Sequence, residues 1–224
     1  MLSKNKFTGK FIVIYGPNNI GKSTQAKLLC KRLLDEKNYP AYLKYPIYNL
    51  APTGPIINEI LRQSQITMGF EKDKYTAQIS RLLGKKVRPE SLEKEIQKLY
   101  AQNRHDFQPY LLGMLKAGMT ILAEDYIGTG IAWGMTRDVK LDFLEKINKS
   151  LLKPNISILL DGDRFLDGHE ANHRNEDIPD QVWTKNRKIY QMLGARYRWI
   201  KVNANGTIGV VQNRLWKALN ENLN

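Results

Sequence analysis

Nine consecutive residues carry the clearest chemistry in this chain. Gly16-Pro17-Asn18-Asn19-Ile20-Gly21-Lys22-Ser23-Thr24 matches G-x-x-x-x-G-K-[ST]. Its glycines let the backbone fold so that several N–H groups face inward around phosphates. The helix that follows adds positive potential at its N-terminus. Gly16, Asn18, Asn19 and Gly21 are the loop positions expected to line a triphosphate. Lys22 is expected to reach the β- and γ-phosphates, the Ser23 hydroxyl to ligate Mg²⁺, and Thr24 to donate to the α-phosphate. Together they predict a nucleoside triphosphate site with Mg²⁺. They do not say what receives the phosphoryl group.

Two further clusters could do chemistry. Glu124 and Asp125 end an apolar run, where a carboxylate can hold a metal-bound water, and a metal role is expected for at least one of them. His169-Glu170-Ala171-Asn172-His173 reads H-E-x-x-H, the zinc-peptidase pattern. That chemistry needs both histidines on one face of a firm helix and a third ligand. The flanks Asp167-Gly168 and Arg174-Asn175 show no apolar period, so the pattern is read as a decoy.

The elements that position these groups follow from apolar spacing. Short runs at Phe11–Tyr15, 41–45, 120–123, 156–160 and 199–202 are largely β-branched or aromatic, and several lack alternation. That suits strands buried on both faces of a parallel sheet. Helical spacing covers 22–36, 90–104, 138–151, 183–193 and 207–219, with Asp138 read as an N-cap. The alternation predicts an α/β fold: a doubly wound, P-loop NTPase-type parallel sheet with helices on both faces. A single domain over 1–224 is expected, with an insertion at about 64–90 and a lid at about 163–180. The insertion is read as a solvated stretch, with Arg81, Lys85, Lys86 and Arg88 clustered near its end.

Composition narrows the class. The chain has 224 residues, 42% of them hydrophobic, enough for a core. Its net charge of +13 favours a polyanionic partner without choosing one. One cysteine, Cys30, excludes an intrachain disulfide and a cysteine zinc cluster. No apolar run is long enough to span a membrane, and no signal-peptide core is visible, so a cytoplasmic protein without membrane partners is expected. The basic residues are spread along the chain without a nucleic-acid-binding motif, so nucleic acid is not an expected partner.

Later landmarks carry a resemblance. Leu99-Tyr100-Ala101-Gln102-Asn103-Arg104, then Glu124 through Trp133, then the run 156–160 into Asp161, and Asn186-Arg187-Lys188-Ile189-Tyr190 resemble the thymidylate kinase family of nucleoside monophosphate kinases. The resemblance runs from about Lys10 to the C-terminus, apart from the insertion. It implies a five-stranded parallel sheet, a lid after the fourth strand, a homodimer, and transfer of the ATP γ-phosphoryl to dTMP. By the same resemblance, Tyr100 is the aromatic that stacks on the base, and Asn103 and Arg104 sit beside it. Tyr45, Tyr126 and Thr129 complete the implied acceptor site, and Glu124 is the implied metal ligand beside Ser23. The phosphate loop lacks an arginine, which implies that the catalytic arginine lies in the lid. Arg164 and Arg174 are the expected catalytic partners of Lys22, with Arg187 a further candidate.

Three departures fall together on the acceptor side. Asn18 and Asn19 stand where the family has an early acid, and Tyr45-Pro46-Ile47-Tyr48 lacks the family's arginine. Asp125 replaces an arginine that binds the acceptor phosphate. A carboxylate there repels a dianion unless another cation intervenes, and Lys44 and Lys72 are candidates. A deoxynucleoside kinase, a kinase of another nucleotide, or a non-catalytic ATP-binding member of the fold are the alternatives.

Overall fold

The computed structural model describes residues 2–36, 39–62, 72–165, 174–175 and 178–223, with backbone only at 72 and 73. Among these, β1 (Phe11–Tyr15), β2 (Pro40–Lys44), β3 (Thr120–Glu124), β4 (Ile156–Asp161) and β5 (Ile200–Asn203) form a parallel sheet in the order β2-β3-β1-β4-β5. All five residues of β1 are buried, since strands lie on both sides of it and helices cover both faces. Pro40 opens the edge strand β2, where a missing backbone donor costs no ladder bond. The predicted strands agree with these to within a residue or two.

Alternate side chains of β1 feed two cores. Phe11, Val13 and Tyr15 pack with Leu111, Leu115, Ile131 and Leu144 on one face. Ile12 and Ile14 pack with Leu29, Leu33, Leu215 and Leu219 on the other. Each fully buried aliphatic side chain stabilises by roughly 1.5–3 kcal/mol relative to exposure. The first core is covered by α4 (Leu92–Lys116), α5 (Ile127–Thr136), α6 (Leu141–Ile147) and α7 (Asp180–Tyr197). The second lies under α1 (Lys22–Asp35) and α8 (Ile208–Leu223). Successive strands are laid down first on one side of β1 (β2, β3) and then on the other (β4, β5), and this switch opens a crevice at the carboxyl ends of β1, β3 and β4.

Several helices differ from the expectation. The described part of the stretch read as solvated is α3 (Lys72–Leu82), whose Tyr75 and Ile79 lie four apart and are buried. With Ile57 and Ile60 of α2 (Thr53–Leu61) and Ile96 and Tyr100 of α4 they form a third core. The basic cluster beyond it is partly spent on an ion pair, Lys85 with Glu95. Asp138 does not cap a helix: it has φ 63°, bonds Lys185 at 2.7 Å, and α6 starts three residues later. The helix expected over 90–104 continues to Lys116. Among the described residues, no helix is long and apolar enough to cross a membrane.

Candidate active site

The phosphate loop joins β1 to α1 in a conformation that its residue types permit. Gly16 has φ 149°, and a Cβ there would meet the Leu160 carbonyl oxygen at 2.5 Å. Asn19 and Gly21 are left-handed, at φ 61° and 84°. The loop carbonyls turn outward: Trp183 Nε1–H donates to Asn18 O at 2.8 Å, and Phe165 N–H donates to Asn19 O at 2.7 Å. Lys22 Nζ donates to Pro17 O at 2.9 Å. Outward carbonyls leave the N–H groups facing the interior of the loop, the arrangement that binds an anion. The first turn of α1 carries no acid to compete with it.

Glu124 ends β3 beside the loop. Its Oε1 accepts from Ser23 Oγ at 2.7 Å, and its Oε2 from Tyr42 O–H at 2.5 Å. Lys44 Nζ lies 3.5 Å away. Burial works to raise the Glu124 pKa, but Lys22, Lys44 and the two hydroxyl donors outweigh it and hold the carboxyl below its ordinary range. An ionised carboxylate in contact with a serine hydroxyl is an oxygen donor set suited to a hard cation such as Mg²⁺. These two residues fit the ion that the sequence implies.

Asp125 follows with φ 62° and its carboxylate in the crevice. It accepts from Thr129 Oγ1 at 2.7 Å and lies 4.0 Å from Lys22 Nζ. Burial raises its pKa; Lys22 is the largest opposing influence, and Glu124 adds to the rise.

One cavity of about 690 Å³ runs from the phosphate loop to α4. It gathers Asn18, Asn19, Gly21, Lys22, Ser23 and Thr24 at one end, and Tyr45, Tyr100, Arg104, Tyr126 and Thr129 at the other. Glu124 and Asp125 lie in its wall. Tyr100 and Arg104 are four apart on α4 and so share a helix face. Arg104 Nε donates to Asn148 Oδ1 at 3.1 Å, while its Nη2 is buried without a partner among the described residues. Burial pulls this guanidinium down to about 10, which leaves it charged at neutral pH.

Other expected site residues sit elsewhere. Asn103 does not line the cavity: it accepts from Ile47 N–H at 2.8 Å and donates to Ile47 O and Thr53 Oγ1, each at 3.0 Å. It fixes the turn after β2 against α2. Gly16 supports the loop from beneath. Arg164 donates to Asp180 at 2.9 Å, Arg174 to Glu93, and Arg187 to Asp161 at 2.7 Å; none of the three lines the cavity. Of the two substitute cations, Lys44 does line it, whereas the Lys72 side chain and the H-E-x-x-H stretch at 169–173 lie outside the described residues. Among the described residues no cluster of three or more acidic, histidine or cysteine side chains could hold a metal. Sequence reasoning missed Asn58, Arg62, Gln97, Trp133 and Phe165 in the cavity wall, and Tyr42 behind Glu124. Spacing within α4 was the available signal for Gln97, three before Tyr100; the others carry no local signature.

A phosphate loop, a strand-end carboxylate on its serine, and a cavity extending from them to Tyr100 and Arg104 are the arrangement of a P-loop nucleotide kinase. The family model described as thymidylate kinase matches residues 14–215, and the chain belongs to the thymidylate kinase family. It is 24% identical to thymidylate kinase of Dictyostelium discoideum over 211 residues, covering 92% of this chain and 83% of that one. It is also 24% identical to the Schizosaccharomyces pombe enzyme of that name over 193 residues, covering 85% and 79%. The solved structure of thymidylate kinase from Candida albicans superposes with a TM-score of 0.74 at 22% identity, covering 96% of this chain and 92% of that one.

Proposed function

We propose that this protein transfers the γ-phosphoryl group of ATP to dTMP, yielding dTDP and ADP. The carrying observation is the continuous cavity that joins the phosphate loop to Tyr100 and Arg104. Backbone N–H groups of the loop and Lys22 hold the triphosphate. Ser23 and Glu124 would hold Mg²⁺, which supplies charge neutralisation on the triphosphate when bound. The base lies on Tyr100, and Arg104 donates its spare Nη2 to a base carbonyl. Lys44 and Arg62, both in the wall, supply the positive charge for the acceptor phosphate that Asp125 cannot. An acceptor phosphate oxygen is already ionised, so attack on the γ-phosphorus needs positioning and no strong base.

Arg164 is the lid arginine best placed to reach the transferring group. It adjoins Phe165, whose backbone is bonded to the phosphate loop, and its partner Asp180 is 86% exposed. Arg174 is tied to Glu93 beneath α3 and is itself buried.

The test is ADP release with Mg-ATP against dTMP, dUMP, dCMP, thymidine and deoxycytidine. Stimulation by dTMP, abolished in Lys22→Ala, is the expected result. Turnover of thymidine with none of dTMP would refute it. That outcome belongs to the second reading, a deoxynucleoside kinase, which Asp125 favours: its buried carboxylate stands beside Lys22 where a hydroxyl proton could be accepted.

A further inference from the structure

We propose that Gln97 reads the base of the acceptor, selecting pyrimidines with a 2,4-dione edge. The inference rests on the monophosphate-kinase reading above and extends it to a residue that neither the motifs nor the resemblance singled out. Gln97 is 1% exposed and lines the cavity, and its Oε1 has no hydrogen-bond partner among the described residues. A buried amide oxygen left unpaired is costly, and native proteins keep such groups chiefly where a ligand or water completes them.

Its place on α4 gives the ligand. Gln97, Tyr100 and Arg104 fall at i, i+3 and i+7, one face of the helix spanning roughly 10 Å along the axis. Tyr100 stands between them, and all three line the same cavity, so a base stacked on Tyr100 lies within reach of both long polar side chains. Arg104 offers donors alone, and its Nη2 is also unpartnered among the described residues. Gln97 offers a carbonyl acceptor and an amide donor. A thymine or uracil edge presents an N3–H between two carbonyl oxygens. Gln97 Oε1 accepts from N3–H while Arg104 donates to O4. Cytosine puts an amine where Arg104 needs an acceptor, so two donors face each other.

Gly130 makes the room. A Cβ there would come within 2.8 Å of Arg104 Nη2 and 3.1 Å of Nη1. With no side chain at 130, the Arg104 guanidinium keeps its place in the cavity wall.

The experiment compares dTMP, dUMP, dCMP and N3-methyl-dTMP with the wild-type chain and with Gln97→Met, a near-isosteric change that removes both polar atoms. The expected wild type prefers dTMP and dUMP over dCMP and over N3-methyl-dTMP by roughly tenfold or more in kcat/KM. In Gln97→Met, KM for dTMP rises roughly tenfold with kcat within about twofold, and the penalty on the N3-methyl analogue disappears. Thermal stability of the unliganded variant stays equal or rises, because no internal hydrogen bond is lost; a residue with a merely structural role would lower it. Gln97→Glu, which still accepts from N3–H, keeps the penalty.

A wild type that uses N3-methyl-dTMP as well as dTMP overturns the proposal without any variant. An unchanged preference in Gln97→Met overturns it while leaving the kinase reading standing. A wild type inert toward every monophosphate defeats that reading, and the base-reading role falls with it.

Discussion

At the scale of single residues, Arg164 and Arg174 show how similar side chains part ways by environment. Arg164 is mostly buried, donating to Ile178 O at 3.2 Å as well as to the exposed carboxylate of Asp180, and the ion pair to that exposed partner stabilises by at most about 1 kcal/mol. Arg174 is buried against Glu93 and lies 5.6 Å over the Tyr75 ring. Arg164→Ala is expected to lower kcat by about 10²–10³ and to cost about 1–2 kcal/mol of stability. Arg174→Ala is expected to cost about 3 kcal/mol of stability, the lower end for breaking a buried pair, since Arg137 remains 3.9 Å from Glu93. Steady-state kinetics and urea unfolding on both variants separate the two; full kcat in Arg164→Ala would remove that residue from the reaction. The phosphate loop was legible because its whole specification lies in nine adjacent residues. The arginines were not ranked by sequence, because burial of the partner decides their role and the partners are 16 and 81 residues away. Asn103 misled for a related reason: it adjoins Arg104 in sequence but points to the turn at Ile47.

At the scale of elements, the sheet was readable and two helices beside the cavity were not. Strands buried on both faces announce themselves as unbroken apolar runs. α5 is Ile-Gly-Thr-Gly-Ile-Ala-Trp-Gly-Met-Thr, almost wholly buried, so it shows no polar face and its glycines read as a turn. α2 contains Gly54 and Pro55, which weaken its helical signal. Tertiary packing forms both, α2 through the third core and α5 against α4 and α7. The junction of β4, β5 and α7 offers a test of how these elements are locked. Asp161 ends β4 and accepts from Arg187 and Gln191 of α7 at 2.7 and 2.9 Å, with Lys201 of β5 at 2.8 Å. Burial pushes its pKa up, but these three donors outweigh that and hold it below its ordinary value. A depressed folded-state pKa contributes stability that is present above the unfolded value of about 3.9 and is lost as pH falls through the folded one. Asp161→Asn should therefore melt below the wild type at neutral pH, with the gap closing under about pH 4. A gap that stays constant from neutral to acid pH would mean that the charge on Asp161 contributes nothing.

At the scale of the molecule, the charge of +13 needs a location. The cavity wall holds four cations, Lys22, Lys44, Arg62 and Arg104, against the two carboxylates of Glu124 and Asp125. Most of the excess therefore lies outside the site. A surface field of one sign raises the encounter rate of oppositely charged ligands and is screened beyond about 8 Å at physiological ionic strength. Groups within the cavity are desolvated and act over shorter distances, so salt screens them far less. Raising NaCl from roughly 0.02 to roughly 0.5 M should then lower kcat/KM for both nucleotides severalfold and leave kcat within about twofold. Steady-state kinetics across that range decides the matter. An equal fall in kcat would place the salt-sensitive charges at the reacting groups, and a flat kcat/KM would show that the surface excess does not guide either nucleotide to the site.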